Sequence, residues 1–89
     1  MESVKHDIIA WWLKHIFFRR LGKRYPEFFA KLVNENTDSR LCRRIMKLRY
    51  IGDENGDQMA FETIAYTIHV LPRRVFEVHK KFIDDFINS

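Results

Sequence analysis

Four histidines, one cysteine and twelve acidic residues are the side chains with which this chain could hold a metal or move a proton. Their spacing suits neither task. His6, His15, His69 and His79, with Cys42, form no paired CxxC and no HExxH pattern, so no zinc site is expected. Asp53-x-Asn55-x-Asp57 opens like a calcium loop. However, Gly56 falls at the fourth place instead of the sixth, and Ile64 stands where the twelfth-place Glu belongs. A solvated turn is the expectation there. No Gly-rich phosphate loop and no GxSxG elbow occurs. Asp84-Asp85 sits close to the end of the sequence, where fraying makes poor ground for general acid–base work. The expectation is a protein with no catalytic residue, no metal and no cofactor.

The cations are more informative. Arg73 and Arg74, followed by Glu77, Lys80 and Lys81, give residues 72–82 a mostly cationic outer face. Arg reads guanine in the major groove through two hydrogen bonds, so Arg73 and Arg74 are the candidates for base contact. A second set, Arg40, Arg43, Arg44 and Lys47, with Arg49 beyond, lies along residues 39–51. These could pin DNA phosphates, which set register and supply most non-specific affinity. They could equally form a solvated helix face, because isolated surface pairs contribute little. Charge is uneven along the chain. It is +3 over residues 1–37, +4 over 38–52, −4 over 53–69 and +1 over 70–89, which gives the net +4. Basic blocks around an acidic loop suit a folded protein that turns one positive surface to a polyanion.

The elements that must carry these residues are helical. Eighty-nine residues make one domain, and three Gly with two Pro leave few turns, which favours long helices over many short strands. Eight Phe, three Tyr and two Trp supply the rings for a core that a chain this short would otherwise struggle to build. The expected fold is all-α, a compact bundle of about five helices. Residues 3–21 form the first helix, and Gly22 stops it at C′. Pro26 starts the second, which carries Phe28, Phe29, Leu32 and Val33. Thr37 or Asp38 caps a helix over 39–51, with Leu41, Cys42, Ile45 and Leu48 inward. Asp57 caps a short helix through Ile68, and Pro72 opens the last, which turns Val75, Val78, Phe82, Ile83 and Phe86 to the core.

The last two helices fit a helix-turn-helix. Ala65 is the small residue where two steeply crossing helices come close, and Ile64, Ile68, Val70, Val75 and Val78 fill the apolar places. Pro72 is preset for a first helical turn. His69 stands at the turn position usually given to Gly, and His is among the residues that tolerate positive φ. The chain therefore divides into aromatic-rich N-terminal helices, residues 1–37, and a helix-turn-helix portion, residues 38–89, within a single domain.

Here the chain resembles a family. Leu48-Arg49-Tyr50-Ile51, then Phe61-x-x-Ile64-Ala65, then Val78-His79 follow the order seen in the region of sigma factors that reads the promoter −35 element. More specifically, the sequence is similar to the sigma-like RinA/ArpU-type phage and prophage transcriptional regulators over residues 41–86. The resemblance implies a sequence-specific DNA-binding regulator of a phage or mobile element, with helix 72–86 in the major groove. Double-stranded DNA is the implied partner, and the host transcription machinery is a further one.

The N-terminal helix raises a separate question. At one hundred degrees per residue, Ile8, Ile9, Trp12, Leu13, Ile16 and Phe17 cover one broad face, and Val4, Trp11 and Phe18 recur every seventh residue to widen it. Only a narrow polar stripe through Asp7 and Lys14 remains. So much apolar surface needs partners on two sides. One side faces the protein's own core. For the other, Val4, Trp11 and Phe18 are expected to meet either a second copy of the chain or a host protein. The host-protein alternative makes the chain an inhibitor or adaptor on a degenerate helix-turn-helix scaffold. An interfacial membrane helix is disfavoured by the narrow polar stripe and by Asp7 within it. The apolar run from Ile8 to Phe18 is too short to span a bilayer, and with a single cysteine and charged opening residues the expected location is cytoplasmic.

Overall fold

The computed structural model describes the backbone of residues 2–89 and the side chains from Val4 onward. Every regular element is helical, as expected from the sequence. α1 (Glu2–Trp12) runs through a π-helical turn (Leu13–Phe17) into α2 (Phe18–Arg24), making one continuous rod. Four more helices follow: α3 (Pro26–Asn36), α4 (Arg40–Tyr50), α5 (Phe61–Ile68) and α6 (Pro72–Asn88).

The π turn decides which residues of the first rod face inward. The N–H of Phe18 bonds to the carbonyl of Leu13, a five-residue step. Along an uninterrupted α-helix, residues 13 and 18 would point about 140° apart. The wider turn brings both into the core, where Leu13 is buried and Phe18 is fully enclosed. Phe18 therefore does not belong to the outer face with Val4 and Trp11, where a uniform helical period put it. Its ring is the centre of the core, edge-on to Phe29, Tyr50 and Phe86 at centroid distances of 5.4 Å each. Ile45, Met46, Val33, Ile64 and Val75 are likewise fully buried.

Gly22 does not end the first helix. It lies inside α2, against the end of α4, where an added Cβ would fall 2.1 Å from the Tyr50 carbonyl oxygen. Only a hydrogen fits there, so this glycine serves a helix crossing. The rod stops at Arg24 because Pro26 disfavours helical backbone at Tyr25, which sits at φ −133°, ψ 64°. Pro26 then opens α3 as expected.

Two caps differ from expectation. Ser39, one residue beyond Thr37 and Asp38, caps α4, its Oγ accepting from the Cys42 N–H at 3.1 Å. Asp57 caps no helix. Asp53 organises the loop instead, its Oδ1 accepting from the N–H groups of Asn55 and Asp57 at 2.8 and 3.1 Å. Gln58 then fastens the loop to the body, donating to the carbonyls of Arg19 and Tyr50 at 2.9 and 2.7 Å. α5 begins only at Phe61.

Candidate nucleic-acid interface

α5 and α6 are joined by residues 69–71 alone. His69 adopts the left-handed conformation, φ 59° and ψ 46°, at the position where the sequence required it. It closes α5 with paired bonds, Val70 N–H to the Ala65 carbonyl at 3.0 Å and His69 N–H to that of Tyr66 at 3.4 Å. This is the Schellman pattern, which satisfies the end of one helix while reversing the chain into the next. Ala65, Ile64, Val75 and Val78 are buried, and Ile68 and Val70 pack at the margin of the core. All six residues expected to face inward from these two helices are thus buried or half-buried.

Arg73, Arg74, Glu77, Lys80 and Lys81 all lie on the exposed side of α6. Their electrostatic states differ. Lys80 donates to Asp84 at 2.7 Å and Lys81 to Asp85 at 2.8 Å. Those hydrogen bonds raise both ammonium groups above the usual lysine range and hold the Asp84 carboxyl below its own. The second half of α6 is thus locally neutralised. Arg73 and Arg74 have no ion-pair partner among the described residues. Among the described residues, the unpaired cations of α6 sit in its first turn, with the unpaired Glu77 one turn on.

The basic helix α4 separates in the same way. Arg40 and Arg44 are exposed and Lys47 is half-buried. Arg43 is committed elsewhere: its Nε donates to the Thr37 carbonyl at 2.8 Å and an Nη to that of Asn34 at 3.0 Å. It closes the C-terminal end of α3, an internal role beyond the phosphate contact or solvated face expected from spacing. Arg49 turns inward, donating to the Met59 carbonyl at 3.0 Å with its guanidinium 4.3 Å from the Phe61 ring centre. Burial, with Arg19 nearby, lowers its pKa. A groove between the 36–42 segment and α6 runs along α6 from Arg74 through Glu77 and Lys81 to Asp85; Arg40, Arg44 and Lys47 do not line it.

Behind this surface lies a polar pair that composition did not reveal. The Tyr50 hydroxyl and His79 Nε2 are 2.6 Å apart and buried. Burial pushes the Tyr50 phenol up to about 12 and His79 down to about 3. A neutral imidazole accepting from the phenol fits both shifts. His79 stands four residues after Val75 and four before Ile83, a spacing that already marks it as inward-facing.

The outer face of α1 is apolar. Val4, Ile8 and Trp11 are 58%, 62% and 56% exposed, and Ile9 and Trp12 are nearly half exposed. Ile8, Ile9 and Trp12 were expected on the core face. α1 packs on the body along α6, where Ala10 is buried and His6 Nε2 meets Asp84 Oδ1 at 2.7 Å. Among the described residues, no helix is long and apolar enough to cross a membrane, and no group of three or more His, Cys, Asp and Glu could hold a metal ion.

The chain matches no family model, no characterised protein and no solved structure.

Proposed function

We propose that this chain is a sequence-specific DNA-binding protein that lays the first turns of α6 in the major groove. The observation that carries the reading is the pair Arg73 and Arg74: two exposed guanidiniums without ion-pair partners among the described residues, at the start of a helix mounted on a left-handed turn. In a helix-turn-helix, that part of the second helix meets base edges, and Arg is the side chain best suited to guanine. Arg40 and Arg44, with Lys47, supply phosphate contacts alongside. The resemblance to sigma-like regulators makes the biological role transcriptional control in a phage or mobile element.

The exposed α1 face favours a second reading. Contiguous apolar side chains on a protein surface usually mark an interaction site. On a DNA-binding protein they form a homodimer, as two-fold pairs read two half-sites about one helical turn apart. On an adaptor they grip a host protein, and the α5–α6 pair is only scaffold.

Selection from a pool of randomised duplexes separates these readings. A DNA-reading protein enriches one defined sequence and loses affinity steeply as salt rises. An adaptor enriches none.

A further inference from the structure

Two large side chains at the α5–α6 turn are far more exposed than their type favours. Tyr66 is 86% exposed and Leu71 is 75% exposed. With His69 and Pro72 they line one shallow concavity. Leu71 is not mobile chain. Its carbonyl accepts from the N–H groups of Arg74 and Val75 at 2.9 and 3.2 Å, and Pro72 fixes the next backbone angle. An apolar side chain on an anchored backbone is thus presented to solvent beside Arg73 and Arg74.

We propose that Leu71, walled by Tyr66, recognises the C5 methyl group of a thymine next to the base met by Arg73; the inference rests on the DNA-binding reading above. Three observations favour a base methyl as the occupant. The two uncompensated arginines draw this corner of the molecule toward a polyanion. Glu62 lines the same concavity and repels phosphate from it, so of the groups a duplex offers, an uncharged base edge is favoured there over the backbone. In the major groove, the thymine methyl is the apolar group on a base edge, and apolar side chains read it by contact.

The test uses the duplex that the wild-type protein selects from a random pool, with each thymine replaced in turn by deoxyuridine, which removes only the methyl. At one thymine beside a guanine the wild type should lose affinity about threefold to fivefold, the worth of one buried methyl group. Leu71→Ala should already be weaker by a similar factor on the unmodified duplex and indifferent to deoxyuridine at that position. Its thermal midpoint should stay close to wild type, since Leu71 is exposed. If every single replacement leaves wild-type affinity unchanged, or if Leu71→Ala stays as sensitive as the wild type, the inference is overturned while DNA binding stands. If the protein enriches no duplex, the DNA reading falls and this inference with it.

Discussion

At the scale of single residues, what decides a cation's role is what it already touches. Lys80 and Lys81 each face an aspartate one turn on, and Arg43 is spent on two backbone carbonyls. Arg40 and Arg44 are exposed and make no ion pair among the described residues. Arg40→Ala or Arg44→Ala should therefore weaken binding alike on all duplexes and flatten the salt dependence by about one unit of slope. Arg43→Ala should instead lower stability by about 1–2 kcal/mol, since it strips partners from the end of α3. A salt titration beside a urea melt distinguishes the two behaviours, and an unchanged slope in Arg44→Ala would return that residue to the solvated face. His79 makes a different prediction. Below about pH 6.5 the unfolded chain takes up a proton that the folded chain refuses until about pH 3. Stability is thus full above pH 6.5 and falls as pH drops, by at most about 1.4 kcal/mol per unit. Urea unfolding at pH 7 and pH 5 should show a loss of up to about 2 kcal/mol. His79→Gln, which can still accept from Tyr50, should lack that loss. Equal losses in both proteins would contradict the buried neutral imidazole.

At the scale of elements, the contrast between the two ends of the chain shows what a sequence can reveal. The turn between α5 and α6 was legible down to the backbone angle of His69, though the start of α5 was not, because each requirement at the turn is local: a small residue and apolar positions at fixed offsets. The first rod was legible as a helix but not in its facing. A period of one hundred degrees carries through residues 3–21 only if every turn is α-helical, and the π turn at Leu13–Phe17 breaks that premise. Phe18 thereby moved from a candidate interface to the centre of the core, while Ile8, Ile9 and Trp12 moved outward. Nothing in the local sequence requires a π turn; packing of Phe18 among Phe29, Tyr50 and Phe86 rewards it. Gly22 misled for a related reason, since a glycine at a crossing and a glycine past a helix end look alike in sequence. The distinction is measurable. Ala is favoured over Gly in a helix interior by about 1 kcal/mol. Gly22→Ala should nonetheless destabilise, by about 1–3 kcal/mol or more, because its Cβ meets the Tyr50 carbonyl. Thermal denaturation decides it, and a raised midpoint would show that the crossing has room.

At the scale of the whole molecule, two surfaces compete to explain the chain: the cationic start of α6 and the apolar length of α1. They are compatible if α1 joins two copies. In that case sedimentation equilibrium should give a dimer for the wild type and a monomer for Trp11→Glu, which leaves the core intact because Trp11 is exposed. Phe18→Ala should not be read the same way. It removes the central ring of the core, and such truncations cost about 3–5 kcal/mol in stability. A wild type that stays monomeric at micromolar concentration excludes a stable homodimer and gives α1 to another protein. None of this decides whether the molecule reads DNA; the first turn of α6 does. The direct measurement is the affinity of wild type, Arg73→Ala and Arg74→Ala for the duplex selected by the wild type, beside a scrambled duplex of equal length. At least one variant should lose about 1–3 kcal/mol of specific affinity while its melting curve stays unchanged. Both variants binding both duplexes as the wild type does would contradict the DNA-binding reading.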